Sequence, residues 1–110
     1  SLGALTFLFA ALAIALTETT SNTATATLLS PLAIAAAQAA GVSPIPPAMA
    51  VALGSSMAFM LPVSTPPNAI VYGSGSIPIT AMLRHGTLLD LASALVVPAG
   101  VLLGCRLLGL

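Results

Sequence analysis

The chain has 110 residues, of which 58% are hydrophobic and 4% charged, and its net charge is zero. Soluble domains carry about 25% charged residues, and four charges cannot cover the surface of a soluble protein this size. With two arginines and no lysine, phosphate neutralisation and a polybasic membrane-surface helix are both excluded, so no nucleic-acid partner is expected. The solvent for most of this sequence is lipid bilayer or other apolar protein.

The charges are Glu18, Arg84, Asp90 and Arg106, and none lies between Glu18 and Arg84. The single Cys105 excludes an intramolecular disulfide and a cysteine metal cage, and reads as a small packed hydrophobe. The opening run Leu2 to Leu16 has the length of a signal-peptide core. It lacks a basic n-region, and Thr17-Glu18-Thr19-Thr20 is a poor cleavage site. The chain therefore reads as a fragment of a larger membrane protein.

A full helical span needs about 20 apolar residues. Leu2 to Leu16 stops short of that at Thr17, and Ala24 to Val42 is interrupted by Thr25, Thr27, Ser30, Pro31 and Gln38. Ala48 to Val63 contains Gly54-Ser55-Ser56, while Leu91 to Leu110 reads as the one ordinary span, with Pro98 and Gly100 as a site for a kink. Short apolar segments suit re-entrant or half-spanning helices.

Two polar patches separate them: Thr17 to Thr23, and Pro62 to Asn68. Irregular backbone at membrane depth is tolerated where it is buried in protein or lines a cavity, and discontinuous helices are the recurring transporter solution. The first patch reads as the tip of a helical hairpin whose second arm starts at Thr23 to Thr27. The second reads as a break within one span, where Pro66 and Pro67 remove two backbone donors. Gly41 to Pro47 and Gly73 to Ser76 read as turns, and Ile77 to Asp90, with Arg84, His85 and Asp90, as a cytoplasmic interfacial helix.

Both asparagines of the chain, Asn22 and Asn68, fall in the polar patches. Asparagine at membrane depth either glues helices or binds a ligand. Carbonyl and hydroxyl oxygens suit a hard cation, and hydroxyls, an amide and helix-terminal N–H groups suit a carboxylate or sulfate. No fixed positive charge stands nearby, so a bound anion would draw help from a co-bound cation. Glu18 is either a proton or sodium ligand or a brace for the tip. His85 beside Arg84 is poorly placed to activate a nucleophile, and Gly73-Ser74-Gly75 has no following lysine to make it a phosphate loop. An enzyme is not expected.

Thr17-Glu18 through Ser21-Asn22-Thr23, followed by an Ala/Thr-rich helix, resembles the second Ser-Asn-Thr signature of the divalent anion:sodium symporters. The run from Ala58 to Gly75, with Pro62-Val63-Ser64-Thr65-Pro66-Pro67-Asn68 at its centre, resembles the second broken-helix signature of that family. The resemblance implies an all-α membrane protein forming part of one inverted repeat, in a multi-pass plasma-membrane transporter of the bacterial inner-membrane type. Residues 4–41 would be a re-entrant hairpin, 46–75 a broken transmembrane helix, 77–87 a cytoplasmic interfacial segment and 88–110 the last transmembrane helix.

It further implies a coupling sodium ion at Thr17, Thr20, Asn22 and Ser64, largely through backbone oxygens. A divalent anion (a dicarboxylate, citrate or sulfate) would meet Ser21, Asn22 and Thr23, with Thr65 and Pro66 close by. Many relatives have alanine at the position of Ser64. The partners implied are the first repeat and scaffold of the same transporter, and a second copy in a homodimer. The rivals are a proton-coupled or arsenite-type transporter of similar architecture, in which Glu18 would titrate, and a non-transporting membrane subunit.

Overall fold

The computed structural model describes residues 1–57 and 66–110. Five helices follow one another: α1 (Leu2–Thr17), α2 (Asn22–Ala40), α3 (Ile45–Gly54), α4 (Pro66–Gly73) and α5 (Ile79–Leu108). There is no strand among the described residues.

Helix α1 buries Thr6, Phe9, Ala10, Ala13, Ile14 and Thr17, spaced three and four apart along one face. Helix α2 buries Thr25, Leu29, Ala33 and Ala37, every fourth residue. It ends where Gly41 adopts φ 73° and donates to Ala37 and Gln38, with Val42 N also bonded to Ala37 O at 3.0 Å. That left-handed cap favours glycine because no Cβ opposes it. Pro46 and Pro47 sit in the first turn of α3, where a missing N–H costs no helical bond.

Helices α1 and α3 form the central pair, and α2 and α5 each pack on both of them. Phe9, Ala13, Leu29, Ala33 and Val51 make the main cluster, with Leu5, Leu16 and Ala36 against it. Val97, Val101 and Cys105 of α5 make a second, next to Met57. The closest approach is at Gly54, where a Cβ would stand 3.2 Å from both Ala10 O and Ala13 Cβ. Helix α4 opens on Pro66 and Pro67 and is exposed along most of its length.

Among the described residues two helices are long and apolar enough to cross a membrane, Asn22–Ala40 with 19 residues and Ile79–Leu108 with 30. At 1.5 Å per residue α5 is about 45 Å long, more than the roughly 30 Å hydrocarbon core. The expected interfacial segment 77–87 and last span 88–110 therefore run together in one helix. Its buried residues, Met82, Gly86, Asp90, Val97, Pro98, Val101 and Cys105, lie on one stripe through that boundary, while Arg84 and His85 are exposed. The first arm of the expected broken helix ends at Gly54; of the expected break, Pro62 to Asn68, residues 62–65 lie outside the described residues, and Pro66 to Asn68 are not unwound but form the first turn of α4.

Large aliphatics such as Leu28, Leu88, Leu95, Leu107 and Leu108 are exposed, while Thr6, Thr17, Glu18, Thr25, Ser55 and Asp90 are buried. So many large aliphatics on the outside suit a chain whose solvent is lipid.

Gly54 tests the central contact. Gly54→Leu forces its Cβ against the backbone of α1 and should cost about 1–3 kcal/mol. Gly3→Ala, where an added Cβ meets nothing within 4 Å, should be neutral or slightly stabilising. Thermal unfolding in detergent micelles distinguishes the two, and equal behaviour would count against the close α1–α3 approach.

Candidate functional site

The tip between α1 and α2 is built from short polar side chains that satisfy the ends of two helices. Leu16 O accepts from Thr19 N at 3.1 Å, Thr20 N at 3.0 Å and Thr20 Oγ1 at 2.8 Å, which closes the C-terminus of α1. Ser21 is the N-cap of α2: its backbone is extended, and its Oγ accepts from Ala24 N at 3.0 Å. Thr25 N bonds to Ser21 O at 2.9 Å, so the helix starts at Asn22, one residue before the arm expected from Thr23.

Within this turn Thr17 Oγ1 lies 2.6 Å from Asn22 Oδ1 and 2.5 Å from Ser55 O at the end of α3. Thr17 and Ser55 are both buried, and Ser55 Oγ donates to Val51 O at 2.6 Å. Thr20 Oγ1 and Thr25 Oγ1 are 2.6 Å apart. Asn22 is half-buried, and Thr20, Ser21 and Thr23 are exposed.

Of the residues expected to bind sodium or anion, the structure thus brings Thr17, Thr20, Ser21, Asn22 and Thr23 together at one tip. Ser64 and Thr65 lie outside the described residues, and Pro66 is the first residue of α4. Ser55 carried no role in the sequence reading, although Gly54-Ser55-Ser56 interrupts an apolar run and could have marked a helix end.

The tip can act on ions in two ways. The N-terminus of the 19-residue α2 carries the positive end of a helix dipole and N–H groups with no intrahelical partner, which suits an anion. Its hydroxyl, amide and carbonyl oxygens are the hard donors that suit an alkali cation.

A second polar feature lies between α1 and α5. Glu18 and Asp90, both buried, line a cavity of about 490 Å³ with Ala11, Ile14, Thr19 and Thr87. No Arg, Lys or His lines it. The sequence reading placed Asp90 in an interfacial segment near His85. The helical stripe through Met82 and Gly86 instead turns it toward α1.

Comparison with known proteins matches residues 2–109 to the family described as sodium:sulfate symporter transmembrane region. An uncharacterized transporter of Haemophilus influenzae is 51% identical over 90 residues, 82% of this chain and 20% of that protein. Solute carrier family 13 member 2 of Oryctolagus cuniculus is 44% identical over 91 residues, 83% of this chain and 15% of that protein. The sodium-dependent dicarboxylate transporter SdcS of Staphylococcus aureus is 41% identical over 81 residues, 74% of this chain and 16% of that protein. The chain spans a fifth or less of these relatives, which are transporters and not enzymes.

The cap gives a structural test of the tip. Ser21→Ala removes the acceptor for Ala24 N and should lower stability by about 1 kcal/mol, and Ser21→Asp should recover most of it. Thermal melts followed by helical circular dichroism check this, and an unchanged melt for Ser21→Ala would remove the capping role.

Proposed function

The chain belongs to the sodium:sulfate symporter family, and from that membership we propose that it is the ion-binding part of a sodium-coupled divalent-anion transporter. The observation that carries this reading is the tip itself. An N-capped helix terminus presents Ser21, Asn22 and Thr23, and its polar side chains are held against a second helix end through Thr17 and Ser55.

In this reading sodium is a transported coupling ion, held by oxygens of Thr17, Thr20 and Asn22 together with Ser64. The anion, a dicarboxylate, citrate or sulfate, meets Ser21, Asn22 and Thr23 with Thr65 and Pro66 beside them. The sodium charge offsets that of the anion at a tip, Thr17 to Thr23, that carries no positive residue of its own. Coupling then follows from electrostatics: each ion raises the affinity for the other by the same factor.

The same reading makes residues 4–41 a re-entrant hairpin that moves with the broken helix 46–75 in an elevator-type displacement. The remaining repeat and scaffold come from the rest of a full-length, homodimeric transporter of the plasma membrane, of the bacterial inner-membrane type. Similarity to a sodium-dependent dicarboxylate transporter and to a solute carrier supports the sodium-coupled transport part of this reading.

The test is uptake by the full-length protein carrying this segment, reconstituted in liposomes. An inward sodium gradient should drive accumulation of succinate or sulfate, whereas uptake driven by a pH gradient without sodium would replace this reading with a proton-coupled one. Asn22→Asp places a charge beside the bound anion. At about 4 Å and an effective dielectric near 20, two like charges repel by roughly 4 kcal/mol before screening. A third of that weakens anion binding about tenfold. Wild-type anion affinity at saturating sodium in this variant would remove Asn22 from the anion site.

A further inference from the structure

We infer that the Thr17 side chain is a positioning residue, which the end of α3 uses to set the amide orientation of Asn22. This deepens the transport reading above and rests on it. In that reading Thr17 offers its backbone oxygen to sodium, and its hydroxyl has a separate task.

Thr17 Oγ1 stands 2.5 Å from Ser55 O and 2.6 Å from Asn22 Oδ1. Both neighbours are acceptors, and a hydroxyl has one hydrogen. Ser55 cannot help with its own hydroxyl, which donates to Val51 O at 2.6 Å. The Ser55 carbonyl lies at the end of α3, and Ser55 is 1% exposed. A carbonyl accepts in every orientation, whereas an amide can turn to present a donor, so the Thr17 hydrogen goes to Ser55 O.

Asn22 resolves the remaining conflict by a half-turn of its amide, which exchanges two positions of nearly equal size. Its Nδ2 then donates to Thr17 Oγ1, Thr17 donates to Ser55 O, and every member of the chain is satisfied. Oδ1 and the second N–H of Asn22 are left for the site. The direction of the chain is fixed by its one member that can only accept, the carbonyl at the end of α3. That carbonyl is itself held in place where Gly54 meets the backbone of α1. The orientation in which Asn22 meets both ions is therefore set by the helix end behind the tip.

The experiment compares Thr17→Val and Thr17→Ser in the full-length protein, neither of which removes the backbone oxygen. Two readouts are needed: the thermal midpoint without sodium or anion, and the half-saturating sodium and succinate concentrations with the maximal uptake rate. Thr17→Val should lower the ion-free midpoint and raise both half-saturating concentrations roughly tenfold, the equivalent of one buried hydrogen bond. Thr17→Ser should restore both readouts. Thr17→Cys, with a weaker donor, gives the same ordering at smaller amplitude if the valine variant does not fold.

An unchanged ion-free midpoint with weakened sodium activation would make the hydroxyl a direct ligand and overturn the inference. A lowered midpoint with unchanged half-saturating concentrations would make the contact purely structural and overturn it as well. Wild-type uptake that ignores sodium would instead fail the transport reading, and the ion-free midpoints would still report on the hydrogen-bond chain.

Discussion

The close approach of α1 and α3 is the contact on which the rest of the molecule depends. Lipid offers no hydrophobic drive for two apolar helices to associate, so packing of small residues and internal polar bonds must supply it. Ala10, Ala13 and Ala50 are fully buried, and Gly54 meets the α1 backbone where no Cβ would fit comfortably. Bringing the helices this near places the end of α3 beside the end of α1. Only then can the Thr17 hydroxyl reach the Ser55 carbonyl across 38 residues of chain. A bulkier seam would separate the two ends and leave the tip to water or lipid.

Beside its apolar clusters, the interior holds polar and charged residues, Thr6, Thr17, Glu18, Thr25, Ser55 and Asp90. Thr6 returns its hydroxyl to Leu2 O at 2.8 Å, Ser55 to Val51 O at 2.6 Å, and Thr20 and Thr25 meet across the tip. Each bond keeps a hydroxyl satisfied within its own neighbourhood, as an apolar solvent requires. The large aliphatics pay no comparable penalty outside and cover the surface instead. The same economy supplies the site, because polar atoms concentrated at one turn are the ones available to an ion.

Three helix ends were the most legible part of the sequence. Ser21 before an Ala/Thr-rich run, glycine at 41 and proline at 44, 46 and 47 each carry a local mechanism; α2 begins and ends there, and α3 begins there. The tip residues were legible for the same reason, since Ser, Asn and Thr act within a few residues of chain. The continuity of α5 was not. Arg84, His85 and Asp90 look like one polar cluster along the chain, and it took the helical period to separate an exposed Arg84 and His85 from a buried Asp90. Ser55 was also missed, because its partner is distant in sequence. Neither its carbonyl nor the proximity of Glu18 and Asp90 leaves a local signal.

Under the proposed function, these contacts decide which parts travel together. Displacing the hairpin past α3 would strip the Ser55 carbonyl of the Thr17 hydroxyl and pull Ala10 and Ala13 from Gly54. Losing that hydrogen bond alone costs about 0.5–1.5 kcal/mol, before any loss of packing. Moving α1, α2 and α3 as one body costs none of this. The α5 seam differs: beside its packed residues it leaves a cavity of about 490 Å³ between α1 and α5, lined by Glu18, Thr19, Thr87, Asp90 and small or aliphatic residues. A displacement that respects these energies keeps the tip and the end of α3 together, so Asn22 keeps its orientation on both sides of the membrane. The site then binds the same pair of ions wherever it opens, which is the condition that alternating access places on it.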